Sequence, residues 1–324
     1  MNSLQPDYES ERLISKILMM YYVDDCSQAE IGQGLGLSTA KINRLLKQAR
    51  NLGYVEINLH SPFQHLLILE KELEQTTGLK HAVVGPCLGN NPNALLKSVG
   101  HAAAVFFTEH LREGDTVCMG GGTTLSALVE SVSAETIFNI TIVPALGGVQ
   151  GRHNSDVNSL VSELATKLGC KSLSLHAPAV TDSSQERDNL LALRQVREVL
   201  DLAKKAQIAL FGIGAIRPAT ASMFQFASLS ELDIKAITDN SKAAGEILLN
   251  IIDELGHPLD TNLNQRVVGL DLESLKRIPL TIGIATLQEK VKPIVAAIKG
   301  GLIKVLITDE ETAKEVLSKF QPGN

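Results

Sequence analysis

Residues 27–53, SQAEIGQGLGLSTAKINRLLKQARNLG, have the pattern of two short helices joined by a glycine-containing turn. Ser27 is suited to cap the first helix, and Glu30, three residues later, completes an S-x-x-E capping box. Residues 34–37 predict a tight turn, and Ser38 is suited to cap the second helix. Both helix starts are marked, so the segment predicts a helix-turn-helix unit.

The second of these helices has two distinct faces. An apolar face with the spacing i, i+3, i+4, i+7 is expected to pack on the first helix, and it consists of Ile42, Leu45, Leu46 and Ala49. The opposite face carries small, amide and guanidinium groups, which suit base edges in the DNA major groove. We therefore predict that DNA is bound by Ser38, Thr39, Ala40, Lys41, Asn43, Arg44 and Lys47.

The charge of this helix is opposite to that of the chain. Residues 38–53 contain four basic and no acidic residues, whereas the formal net charge of the whole chain is −6. Because a polyanion repels an acidic protein, we expect DNA contact to be confined to this helix and strengthened by pairing of two copies. Two alternatives stay open, namely an ordinary solvated helix face and a surface that contacts another protein.

Composition limits the class of protein. The chain has 324 residues, of which 44% are hydrophobic and 20% charged, which suits two soluble domains with a sizeable core. The four cysteines have neither metal-site nor disulfide spacing, so we predict buried free thiols, no metal and no cofactor. The chain has no signal segment and no run of eighteen apolar residues, so we expect a cytoplasmic protein that does not contact membranes.

The pattern along the chain changes near residue 60. An amphipathic helix is predicted at about 9–22, and a short alternating strand at 54–59. Pro62 ends that strand, and residues 63–77 return to a helical pattern. We therefore predict a helix-turn-helix DNA-binding domain at 1–60 and a second domain at 61–324, to which the effector-binding and oligomerisation roles are assigned from the features described below.

From residue 81 onward, short apolar runs alternate with amphipathic helical stretches. This alternation is typical of an α/β domain with a Rossmann-like parallel sheet covered by helices on both faces. The strands are predicted at 81–86, 115–120, 140–146, 171–178, 207–214, 280–286 and 304–309. The helices are predicted at 94–111, 124–131, 157–168, 189–205, 246–253, 290–299 and 312–319.

Ligands of such sheets bind outside the carboxyl ends of the strands. The turn at 120–124, GGGTT, follows a strand and opens a helix, so its backbone N–H groups could hold a phosphate. Glycines at 147 and 212 follow other strands, Lys290 could neutralise an anion, and Glu246 could accept sugar hydroxyls. The alternatives are an ordinary strand-to-helix turn and solvated side chains.

The order and spacing of several segments resemble the SorC family of sugar-responsive bacterial transcription regulators, which includes the deoxyribonucleoside, central glycolytic and autoinducer-2 regulators. The segments are 21–57, GGGTTLSALVE, VPALGGVQ, VREVLDLAKKAQIALFGIGAI, AAGEIL and EKVKPIVAAIKGGLIKVLITDEETA. The resemblance implies an effector domain similar to glucosamine-6-phosphate deaminase and ribose-5-phosphate isomerase, without catalysis. It also implies a phosphorylated sugar effector, operator DNA and a homo-oligomer, either a dimer or a homotetramer.

Candidate effector residues follow from this resemblance and from the strand ends. The resemblance places the phosphate at Gly121, Gly122, Thr123 and Thr124, and it adds Asp156, Asn158, Glu246 and Lys290 to the pocket, beside Gly147. The chain departs from the family at Leu146, at Leu287 and Gln288, which replace a common glycine pair, and at Asn43, which replaces a serine. We expect these departures to affect which sugar phosphate binds and which bases are read.

A second hypothesis is a sugar-phosphate isomerase or deaminase with an accessory N-terminal domain. Glu246 would then act as general base and Lys290 as electrostatic stabiliser. His176 near a strand end is the nearest candidate for a partner of Glu246. The sequence offers no convincing second carboxylate, so the regulator is the leading interpretation.

Overall fold

The computed structural model describes residues 8–57, 61–87, 91–133, 138–149, 155–216, 224 and 229–321. The chain divides into two compact units, Met1–Pro62 and Phe63–Asn324. The first unit is helical, and the second has the predicted α/β architecture.

The first unit contains α1 (Tyr8–Tyr22), α2 (Gln28–Leu35) and α3 (Thr39–Asn51). Its centre is a cluster of Ile17, Ile31, Ile42 and Leu46. The predicted capping box is confirmed, because the Ser27 N–H donates to Glu30 Oε2 at 2.8 Å while Ser27 Oγ accepts from the Glu30 N–H at 3.3 Å. Ser38 Oγ likewise accepts from the Lys41 N–H at 3.3 Å.

Two sequence predictions in the first unit need correction. Helix α2 continues to Leu35, so the turn starts later than predicted and depends on Gly36, whose φ of 66° is left-handed. The strand expected at 54–59 is wrong for its described part, residues 54–57, which have no strand conformation. An isolated strand has no neighbour for its backbone groups, so alternation alone did not suffice.

In the second unit, seven strands of the described ranges form a parallel sheet in the order β1-β9-β8-β5-β2-β3-β4. All seven predicted apolar runs contribute a strand, although β4 has only two residues. The strands are β1 (His81–Gly85), β2 (Thr116–Met119), β3 (Thr141–Pro144), β4 (Lys171–Ser172), β5 (Ile208–Gly214), β8 (Leu280–Ile284) and β9 (Val305–Asp309).

The remaining strands, β6 (Gly245–Ile247) and β7 (Asn250–Ile252), form an antiparallel hairpin at the end of β5. The helix predicted at 246–253 is therefore wrong. β-Branched residues and pairing with β5 favour the extended conformation here. The sequence did not indicate the hairpin because its turn lacks the glycine or asparagine typical of such turns.

Helices cover the sheet. The long helix predicted at 189–205 is two helices, because Leu193 takes an extended conformation between them with ψ of 130°. The helices are α4 (Gln64–Thr77), α5 (Pro92–His110), α6 (Thr123–Ser131), α7 (Val157–Leu168), α8 (Ser184–Ala192), α9 (Arg194–Lys204), α10 (Glu231–Thr238), α11 (Leu272–Arg277), α12 (Val291–Lys299) and α13 (Glu310–Ser318), with 3-10 turns at Asn264–Arg266 and Gln288–Lys290.

Strand order creates a switch point between β2 and β5. From β2 the chain proceeds to β3 and β4 on one side, and it returns to β5 on the other side before reaching β8. The connections therefore leave the two adjacent strands in opposite directions, which opens a crevice at their carboxyl ends.

Candidate functional site

Helix α3 presents its basic face to solvent. The apolar residues Ile42, Leu46 and Ala49 are buried, as the spacing predicted. The predicted DNA-binding residues are all exposed, and within the described part of the chain none of the basic side chains of α3 forms a salt bridge. The exposed residues are Ser38, Thr39, Ala40, Lys41, Asn43, Arg44 and Lys47, with Arg50 one turn further.

A cavity of about 360 Å³ lies at the carboxyl ends of β2, β3, β5 and β8. This is the crevice that the strand order opens. Of the predicted effector residues, Gly121, Gly122, Thr123, Thr124, Gly147, Asp156, Glu246 and Lys290 line it. The topology therefore brings together residues that are far apart in the sequence.

The glycine-threonine turn leaves helix α6 open to the cavity. Gly122 caps α6 with φ of 111°, which disfavours any side chain, and no side chain caps the helix. The Gly122 N–H donates to Ser155 O at 2.9 Å. Among the described residues, no acceptor meets the N–H groups of Thr123 and Thr124. These donors and the helix dipole form a cradle for an anion.

Glu246 and Lys290 both line the cavity, and their opposite charges interact. Glu246 Oε2 accepts from the Leu249 N–H at 2.9 Å, and no salt bridge joins Glu246 to Lys290 in the described ranges. Burial raises the pKa of Glu246, although the Leu249 N–H and the Lys290 charge oppose it. Burial lowers the pKa of Lys290, against the attraction of Glu246 and Glu289. A ligand with both donors and acceptors would satisfy both groups.

Asp156 and Asn158 have structural roles. Asp156 caps α7, since its Oδ2 atom accepts from the N–H groups of Asn158 at 3.0 Å and Ser159 at 3.3 Å. Its Oδ1 atom accepts from the Val149 N–H at 2.9 Å. Asn158 Oδ1 accepts a hydrogen bond from the Leu175 N–H at 2.9 Å, and Asn158 Nδ2 donates to Leu175 O at 3.3 Å. Asn158 is absent from the described lining of the cavity. The effector role that the resemblance implies for Asn158 stays a prediction.

Three cavity residues that the sequence did not single out as ligand contacts are Leu248, Leu249 and Leu287, all with positive φ. Asp309, which is 2% exposed, holds Leu287 in place. Its Oδ2 atom accepts from the Leu287 N–H at 3.0 Å and from Thr286 Oγ1 at 2.7 Å. Periodicity carries no signal for such dihedral angles.

Asp309→Asn is expected to make stability less dependent on pH. Burial alone would raise the pKa of Asp309, but hydrogen bonds from Thr312, Thr286 and Leu287 outweigh it and lower the pKa. A lowered folded-state pKa adds stability that is complete above the unfolded value of about 3.9 and lost as pH falls through the folded value. Urea unfolding between about pH 2 and pH 6 measures this. The variant should be less stable at pH 6, and its difference from the parent should shrink at low pH; a pH-independent difference contradicts the assignment.

The histidine and the cysteines that the sequence analysis considered lie outside the described lining of the cavity. His176 is exposed and does not line the cavity in the described part of the structure.

None of the four cysteines forms a disulfide. Cys118 is buried, and burial raises the pKa of its thiol to about 12. Cys87 is exposed, so the prediction that all four thiols are buried is wrong. The described residues contain no cluster of potential metal ligands. No described helix combines the length and apolarity needed to cross a bilayer.

A helix pair with an exposed basic face and an α/β unit with an anion cradle are the two parts expected of a ligand-responsive transcriptional regulator. The chain is 31% identical to the sorbitol operon regulator of Klebsiella pneumoniae over 94% of this chain and 98% of that protein. It is 27% identical to the deoxyribonucleoside regulator of Bacillus subtilis, over 96% of this chain and 99% of that protein. It is also 27% identical to the erythritol catabolism regulatory protein EryD of Brucella abortus, over 95% of this chain and 97% of that protein. The family described as "Putative sugar-binding domain" matches residues 61–318. The chain therefore belongs to this sugar-binding domain family of SorC/DeoR type, which confirms the resemblance.

The fold has the same relatives. The full-length sorbitol operon regulator SorC from Klebsiella pneumoniae matches with a TM-score of 0.73 and 29% identity, over 95% of this chain and 99% of that one. Since these relatives are named transcriptional regulators, the chain is a regulator rather than an enzyme. The Glu246 carboxylate accepts from the Leu249 N–H, and among the described residues no side chain forms a hydrogen bond with it.

Proposed function

We propose that this regulator binds operator DNA through α3 and that a phosphorylated sugar in the α/β cavity changes its operator affinity. The first unit is then the DNA-binding domain, and the second is the effector and oligomerisation domain. The single observation that carries the proposal is the anion cradle at Gly122, which opens into a cavity large enough for a sugar phosphate.

The first part of the proposal is DNA binding by α3. Its exposed cations are not neutralised by acidic neighbours in the described residues, and an outward asparagine and arginine suit adenine and guanine edges. The formal net charge of −6 would oppose binding of DNA to other surfaces of the molecule. A dimer or tetramer acting in the cytoplasm would present two or more copies of the helix to a palindromic operator.

The second part is recognition of the sugar phosphate. The N–H groups of Thr123 and Thr124, which meet no acceptor among the described residues, and the ammonium of Lys290 suit the phosphate, while Glu246 suits sugar hydroxyls. Coupling requires that the effector bind one arrangement of the subunits more tightly than the other. The names of the relatives, which regulate sorbitol, deoxyribonucleoside and erythritol genes, support a sugar effector.

The test begins with selection of an operator from random-sequence duplex DNA by the purified full-length protein. Operator affinity is then measured by fluorescence anisotropy with and without a panel of sugar phosphates, each also assayed for turnover. We expect at least one compound to stabilise the protein thermally and to change operator affinity without being consumed. Turnover of a sugar phosphate, or the absence of any selected sequence, would contradict the proposal.

A further inference from the structure

Unusual backbone conformations concentrate at the cavity. Four described residues other than glycine have a left-handed φ, and three of them, Leu248, Leu249 and Leu287, line the cavity. Leucine rarely adopts such angles, and residues held in them persist only when their surroundings fix them. Three leucines in this state around one cavity point to a requirement for apolar side chains at those positions.

The first two leucines form the tip of the β6–β7 hairpin. Their φ values of 50° and 62° are the combination of type I′ turns, in which asparagine and glycine are preferred. The tip is fixed on both sides, since the Leu249 N–H donates to Glu246 and Asn250 Nδ2 donates to Leu248 O, each at 2.9 Å. The same carboxylate that faces the cavity therefore holds the tip in place.

The tip lies directly against the anion cradle. A methyl group placed on Gly120 would be 2.9 Å from Cδ2 of Leu248 and 3.8 Å from Cδ2 of Leu146. Leu146 also lines the cavity. The side chains of Leu248 and Leu146 therefore lie close to Gly120, the residue directly before Gly121 and Gly122.

Leu287 extends the apolar surface from strand β8. Its φ of 86° and ψ of 148° belong to a region used almost only by glycine, and Asp309 holds its backbone there. A glycine at this position would adopt the same backbone without strain and would leave the cavity wider. The leucine therefore adds an apolar group that the fold itself does not need.

We propose that Leu146, Leu248, Leu249 and Leu287 form an apolar wall that selects a phosphorylated sugar with a deoxygenated or methyl-bearing carbon. This inference rests on the proposed function, and it names the class of effector. A hydroxyl group turned toward the wall would lose its bonds to water without gaining protein partners. A hydrogen or methyl group at the same carbon would instead be buried favourably.

Matched ligand pairs test the wall by isothermal titration of the full-length protein. The pairs are 2-deoxyribose 5-phosphate with ribose 5-phosphate, and a 6-deoxyhexulose 1-phosphate with the corresponding hexulose 1-phosphate. In at least one pair, the deoxygenated member should bind about 10- to 100-fold more tightly, the usual discrimination by an apolar pocket. Tighter binding of the hydroxylated member in both pairs, or equal binding, would overturn the inference.

Leu248→Asn and Leu287→Gly provide the second readout. Each replacement is compatible with positive φ, so folding should be retained, and circular dichroism and thermal unfolding check this. Both should reduce the preference for the deoxygenated ligand about tenfold or more, whereas Leu232→Asn, at a side chain that is 80% exposed, should not change it. An unchanged preference in folded Leu248→Asn and Leu287→Gly proteins would contradict the role of the wall.

The two levels of failure are distinguishable. Titration with inorganic phosphate reports the anion cradle alone. If sugar phosphates bind and change operator affinity but each pair binds equally, only the wall is wrong. If neither inorganic phosphate nor any sugar phosphate binds, the proposed function fails and the wall fails with it.

Discussion

Arg44→Ala is expected to abolish specific operator binding while the α/β unit stays folded. Arg44 is exposed on α3, on the face opposite the buried Ile42 and Leu46, so its removal leaves the packing of the helix unchanged. A bidentate arginine–guanine contact discriminates by about 1–3 kcal/mol, and a symmetric dimer would lose two of them. Affinity for the selected operator should therefore fall by about 100-fold or more, measured by anisotropy at fixed salt.

The control for this experiment is Arg12→Ala. Arg12 is exposed on α1, in the same unit. Arg12→Ala therefore removes the same charge as Arg44→Ala, but from a different helix. The affinity of Arg12→Ala for the operator should remain close to that of the parent. The two variants should differ only moderately in how much added salt weakens their binding to random DNA. Unchanged operator affinity in Arg44→Ala would show that another surface reads the operator.

The sequence predicted the elements whose chemistry is local or repetitive. The capping box needs only Ser27 and Glu30, and the buried strands β8 and β9 are unbroken apolar runs, so both were visible without coordinates. The glycine-threonine turn was likewise predicted, because glycine and a following helix are adjacent in the chain. Parallel pairing then brings strand ends together, which explains why most of the cavity could be predicted.

The missed features depend on contacts between distant segments. The hairpin at 245–252 contains no turn signal, because Leu248 and Leu249 occupy positions where glycine or asparagine is expected. Their conformation is imposed by pairing of β6 with β5 and by the Glu246 carboxylate. The hydrogen bonds between the Asn158 side-chain amide and the backbone of Leu175 are a further contact between distant segments that the sequence did not indicate. Tertiary context decides such positions.

Lys290→Gln is expected to remove the response to sugar phosphates without destabilising the protein. Burial lowers the pKa of Lys290, against the attraction of Glu246 and Glu289, so the folded state already disfavours its charge. Replacing the ammonium by a neutral amide should leave thermal stability equal or higher. A charge-assisted hydrogen bond to phosphate contributes about 1.5–3 kcal/mol, so titration should show sugar-phosphate affinity weakened by about 10- to 100-fold.

Lys292→Gln separates the site from a general effect of charge. The Lys292 side chain is 53% exposed, forms a 3.0 Å salt bridge with Glu254 and lies outside the described cavity lining. Lys292→Gln therefore removes the same charge as Lys290→Gln, two residues further along the chain. This control should retain both ligand affinity and the ligand-induced change at the operator. Because the effector can shift the equilibrium only by its differential affinity, Lys290→Gln should bind operator normally and respond only at much higher ligand concentrations. Equal ligand affinity in the two variants would place the phosphate away from Lys290.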